Sequence, residues 1–198
     1  GRVRLDAGQL AEAITAYEES LQIRRDILKD YGRSLQALRD LSVSLDNVGR
    51  VRLDAGQLAE AITAYEESLQ IRRDILKDYG RSLQALRDLS VSLNNVGDVR
   101  RDAGQLAEAI AAYEESLQIG RDILKDYGRS LQALRDLAVS LWRVGAVSEK
   151  PEDVQPLANE LKDIYDRLCE EYPQVESLKE ERNGLLASDW FRRAMANS

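Results

Sequence analysis

The chain has 198 residues, 43% hydrophobic, 32% charged and 6% aromatic, with only three prolines; this excludes a disordered chain and leans towards helix over sheet. A lone cysteine, Cys169, and no histidine exclude an internal disulfide and a Cys/His zinc site and suit a reducing compartment, the cytoplasm. The net charge of −7 gathers late, with 12 acidic and 7 basic residues from 149 to 198, which argues against nucleic acid; no apolar run or signal-peptide pattern suggests a membrane.

Along the chain, the first observation is repetition. GRVRLDAGQLAEAITAYEESLQ begins at Gly1 and again at Gly49, and GDVRRDAGQLAEAIAAYEESLQ begins at Gly97, a period of 48 residues. Units 1–48 and 49–96 differ at one position, Asp46 against Asn94, and unit 97–144 differs from the second at seven. A fourth copy starts at Gly145 and loses the pattern. Gly1 aligns with Gly49 and Gly97, while Ser82 to Val96 has no counterpart before residue 1. The chain is therefore expected to open in mid-helix at Gly1-Arg2-Val3, as a fragment of a longer array, with an apolar leading edge able to self-associate.

Within a unit, Leu58, Ala61, Ile62, Tyr65, Leu69, Ile71, Ile75 and Leu76 recur at spacings of about three and four, a helix with one buried stripe. Leu83, Leu86, Leu89, Val91, Leu93 and Val96 are read the same way, so each unit is a helical hairpin with helices of about 20 residues. Gly56, in Asp54-Ala55-Gly56-Gln57, is expected to end one helix in a left-handed conformation; Gly80 ends the other, and Ser82 caps the next. After Gly145 a helix is expected to begin within 151–156 and to stop at Pro173. A last one runs from about Val175, with Gly184 a weak point and Ser188-Asp189 a restart. One hairpin cannot bury its apolar face alone, so stacking into a solenoid follows, with 1–148 as the array and 149–198 as a polar helical cap.

Leu93-Asn94-Asn95-Val96-Gly97, followed by Ala103-Gly104-Gln105-Leu106, Ala109, Tyr113, Ser116-Leu117 and Ile119, resembles the tetratricopeptide repeat family, and the pattern recurs at Leu45 to Ile71 and in part at Leu5 to Ile23. Arg100 stands where that family usually has an aromatic, and Arg121 where a helix-ending proline is usual. The resemblance is thus to the long-helix variant of large bacterial repeat proteins. It implies an all-α, right-handed superhelical solenoid of antiparallel hairpins, and a concave groove, lined by the first helices, that holds a partner peptide or helix without cofactor, metal or catalysis.

The differences between copies are the candidate site. Asp46/Asn94/Trp142, Arg2/Arg50/Asp98/Ala146 and Leu5/Leu53/Arg101 are corresponding sets, and 46, 50 and 53 are i, i+4 and i+7 on the first helix. Two readings stay open: diversification of the groove, or drift of exposed positions that costs little. Asn47, Asn95 and Arg143 are neighbours able to hydrogen-bond a peptide, though the lysines of a full carboxylate clamp are missing. Trp142 is either an interface anchor or a cover for the apolar seam towards the cap. Thr63/Ala111 and Arg72/Gly120 look scattered. Tyr17, Tyr65 and Tyr113 are read as hairpin core, the acids of Asp26-Ile27-Leu28-Lys29-Asp30 as an ion-paired surface, and Cys169 as a packed side chain. Trp190-Phe191-Arg192-Arg193 is either cap or an exposed aromatic-basic tail. Besides a partner-binding scaffold, the regulatory arm of a larger bacterial signalling NTPase or protease and an architectural or designed spacer also fit.

Overall fold

The computed structural model describes residues 7–148 and 151–196. Among them are nine helices and no strand: α1 (Ala7–Tyr31), α2 (Leu35–Asp54), α3 (Leu58–Tyr79), α4 (Leu83–Asp102), α5 (Leu106–Tyr127), α6 (Leu131–Val147), α7 (Pro151–Glu171), α8 (Glu176–Ala187) and α9 (Asp189–Met195). The expected mid-helix opening at Gly1-Arg2-Val3, and Leu5 with it, lie outside the described residues. The helices fall into two units, Gly1–Ala109 and Ile110–Ser198.

Local chemistry sets the helix ends. Ser34, Ser82 and Ser130 each accept the backbone N–H of the residue three further on, Ala37, Ala85 and Ala133, at 3.1 Å, satisfying a donor the first turn would leave orphaned. At the other end of α2, Gly56 takes φ +75°; its N–H bonds the Leu53 carbonyl and that of Gln57 bonds Arg52, both at 2.9 Å, which closes the last turn as a Schellman motif. Gly104 repeats this after α4 with the same φ. The arginine in place of the family's aromatic has its own partners. Arg52 donates to Gln57 Oε1 at 2.5 Å and pairs with Glu18 of α1; Arg100 does likewise with Gln105 and with Glu66 of α3.

In the first unit, Leu38, Leu41, Leu45 and Val48 of α2 pack against Leu21 of α1, Ala64, Ile71 and Ile75 of α3, and Ala85 of α4. The bare backbone of Gly49 lies against the Tyr65 ring: a Cβ there would stand 2.8 Å from it. Tyr65 and Tyr113 are buried and Tyr17 packs at the core's edge, as hairpin core should.

In the second unit, α7 packs on α6, α8 and α9 around Ala158, Leu161, Leu168 and Leu178, all buried. Pro156 falls near the start of α7, Gly184 does not interrupt α8, and Ser188 separates α8 from α9. Trp190 and Phe191 are not an exposed tail: they are 6% and 4% exposed and meet edge to face at 5.9 Å. The Trp190 ring lies so close to Gly145 that a Cβ would meet it at 2.5 Å, so α9 gives Gly145 an aromatic cover as Tyr65 covers Gly49. Arg135–Glu181, Arg182–Asp166 at 2.6 Å and Arg121–Glu160 at 2.6 Å tie the acidic C-terminal helices to their neighbours.

Candidate partner-binding face

Helical geometry decides which side of the first helices meets solvent. Positions 43, 47, 50 and 54 on α2, and 91, 95, 98 and 102 on α4, are spaced by four, three and four, within about 60° of one another around the axis. Val43 and Val91 are 53% and 52% exposed; Arg50, Asp54 and Asp102 are exposed, and Asn47, Asn95 and Asp98 half-buried. Val91, expected in the buried stripe, is turned out because two residues past buried Leu89 is over half a turn away. Val43 and Val139 of α6 repeat that exposure at the 48-residue period. These valines are functional candidates that the periodicity count absorbed into the core; their two-residue offset from Leu41, Leu89 and Leu137 was the available signal.

The predicted site residues divide. Arg50 is exposed, its guanidinium donating to the Tyr17 hydroxyl at 3.3 Å, and Leu53 is half-buried. Arg101 reaches Asp98 at 3.5 Å and Asp102 at 2.9 Å, so the copy that trades Arg50 for Asp98 also trades Leu53 for a cation beside the new acid. Asp46 and Asn94 turn away from this face. Asn94 is 8% exposed, and its Oδ1 has no hydrogen-bond partner.

Asp46 belongs to a buried polar cluster that joins three helices. Arg72 of α3, 6% exposed, donates to Asp46 Oδ2 of α2 at 2.5 Å, to Ser92 Oγ of α4 at 2.6 Å and to the Asp88 carbonyl at 2.8 Å; Ser68 Oγ donates to the Ser42 carbonyl at 3.0 Å. Burial holds the Asp46 carboxyl above its ordinary value, which the adjacent Arg72 only partly offsets. Burial, with Asp46 adding to it, also pushes the Tyr65 hydroxyl up to about 12. Arg72/Gly120 is thus not scattered. In the 48-residue register the counterparts of Asp46 and Arg72 are Asn94 and Gly120, so both charges are lost together.

In the second unit, Trp142 is 41% exposed on α6, with Val139 exposed and Arg143 half-buried. The aromatic ring over Gly145 in this unit is that of Trp190. Cys169 is half-buried. Among the described residues no group of three His, Cys, Asp or Glu is placed to hold a metal ion, and no helix is long and apolar enough to cross a membrane.

Two models of the tetratricopeptide repeat match the chain, over residues 41–78 and 88–149, together just over half of it. No curated protein sequence matches. Among solved structures, the nearly identical TPR-like repeats of a Podosopora anserina protein assigned as a kinesin light chain are 18% identical, over 96% of this chain and 89% of that one, with a TM-score of 0.56. A single-residue variant of those repeats is also 18% identical, over 91% of this chain and 88% of that one, with a TM-score of 0.48. The first of these shares the all-α repeat fold. With the repeat register, the helix pairs and the two repeat-model matches in agreement, the chain belongs to the tetratricopeptide repeat family, a protein–protein interaction scaffold.

Proposed function

We propose that the exposed face of the first helices holds a peptide or helix of a partner protein, in a reducing, cytoplasmic setting and without chemistry of its own. The observation that carries this reading is the pair of exposed valines, Val43 and Val91, each followed on its own helix by an amide, Asn47 or Asn95, and a charge, Arg50 or Asp98. An apolar contact beside amides that bond a peptide backbone is the composition of a recognition surface. The charge reversal from Arg50 to Asp98 makes neighbouring hairpins select different side chains of one ligand. On α6, exposed Trp142 supplies a separate aromatic anchor. Asp46 and Asn94 are left out of the contact set because their side chains serve the interior.

The test uses a partner captured and identified with the intact chain. Replacing Asn95, Arg101 and Trp142 by Ala weakens its binding by about a hundredfold if each side chain contributes roughly 1 kcal/mol. A partner that binds the triple variant as tightly as the parent refutes the reading.

A further inference from the structure

Helices α1 and α3 have the same sequence over 10–31 against 58–79, yet their side chains are buried differently. In α3, Ser68 is fully buried, Ile71 is 8% exposed and the Arg72 side chain 7%. Their counterparts in α1 are open: Ser20 is exposed, Ile23 is 59% exposed, and the Arg24 side chain 41%. What covers the face in α3 is α2, through Ser42, Asp46 and the apolar side chains around Leu45, the most extensive helix pairing in the first unit. Arg24 instead reaches forward to Asp40 at 3.0 Å, whereas Arg72 spends one nitrogen on the following helix and another on Asp46 of the preceding one.

We propose that the α1 face formed by Ala16, Ser20, Ile23 and Arg24 docks a helix of the α2 type that carries aspartate at the position of Asp46. The occupant is set by an identical helix in the same chain, which shows both the apolar cover for Ile23 and the carboxylate for Arg24. The aspartate requirement follows from Arg72, whose Nη2 donates to Asp46 Oδ2 at 2.5 Å. A second copy of the chain is a poor occupant, since its own α2 is already held between α1 and α3. This inference is independent of the valine face on α2 and α4.

The chain contains its own probes. Residues 33–48 and 81–96 are identical except for Asp46 against Asn94. Labelled peptides of both sequences are titrated into the whole chain by fluorescence anisotropy at millimolar protein, because a free helix of this length is marginal and binds weakly. The aspartate peptide binds roughly fivefold or more tighter than the asparagine one, Ile23→Glu abolishes binding of both, and Arg24→Gln removes the preference while leaving the apolar component. Absence of binding, equal affinity of the two peptides for the parent, or binding untouched by Ile23→Glu overturns the proposal. So does a dimer of the chain, seen by sedimentation, that Ile23→Glu dissociates and the aspartate peptide does not.

Discussion

Replacing Asp46 with Asn strands Arg72. Its guanidinium keeps Ser92 Oγ and the Asp88 carbonyl but loses the Asp46 carboxylate, with 7% of the side chain exposed. Breaking a buried pair from one side costs about 3–5 kcal/mol, and because the new amide still offers an acceptor the expected loss is about 2–3 kcal/mol. Arg72→Gly leaves the Asp46 carboxylate buried, with roughly 1 kcal/mol more for a glycine in mid-helix, about 4 kcal/mol in all. The double variant reproduces the combination found at Asn94 and Gly120, with no charge left inside, and should cost about 2–3 kcal/mol less than the two singles added. Urea denaturation of the four proteins, followed by circular dichroism, measures the cycle. Thermal midpoints provide the cross-check at about 2–4 °C per kcal/mol for a chain of this size. Additivity within about 0.5 kcal/mol would falsify the claim that the two positions change as a unit.

Further outcomes follow from particular contacts. Gly49→Ala drives a methyl into the Tyr65 ring, 2.8 Å from the new Cβ, and lowers stability by about 1–3 kcal/mol; a variant as stable as the parent in thermal melts contradicts the packing described. Trp190→Ala empties the cover over Gly145 at a cost of about 3–5 kcal/mol, read as a lower melting temperature with increased dye binding to exposed apolar surface. Asp46 and Asp166 respond to acid in opposite senses. The Asp46 carboxyl is raised, so its native form takes the proton first: relative to Asp46→Asn, the parent gains stability as pH falls from above that raised value towards 3.8, and loses it as pH rises. The Asp166 carboxyl is lowered by its bonds to Lys162 and Arg182, so its contribution is present above 3.8 and lost as pH falls below; parent and Asp166→Asn converge in acid. Stability curves of the three proteins from pH 7 to pH 3 test both signs.

The periodic part of the fold was legible because every signal coincided. Ser82 before an apolar-periodic run, Gly56 after one, and a 48-residue register together leave little freedom in where helices start and stop. The candidate site was legible only to within a side of a helix. Positions 46, 50 and 53 span that side, yet Asp46 rotates inward because Arg72, distant in sequence, waits there, and nothing local announces the pairing. Val43 and Val91 were hidden for the opposite reason: hydrophobic type assigned them to the core, while their phase relative to Leu41 and Leu89 places them outside. Trp190 carried no positional signal, since α9 lies beyond the repeated sequence and the contact of Trp190 with Gly145 is tertiary.

The most direct measurement compares two surface variants against one identified partner. Val43→Glu/Val91→Glu places charge on the exposed valine face, and Thr63→Glu places it on the exposed side of α3. With both proteins folded by circular dichroism, titration calorimetry should show at least about a tenfold loss of affinity for the valine variant and parental affinity for Thr63→Glu. Parental affinity in the valine variant, with the loss at Thr63→Glu instead, would contradict the assignment of the binding face.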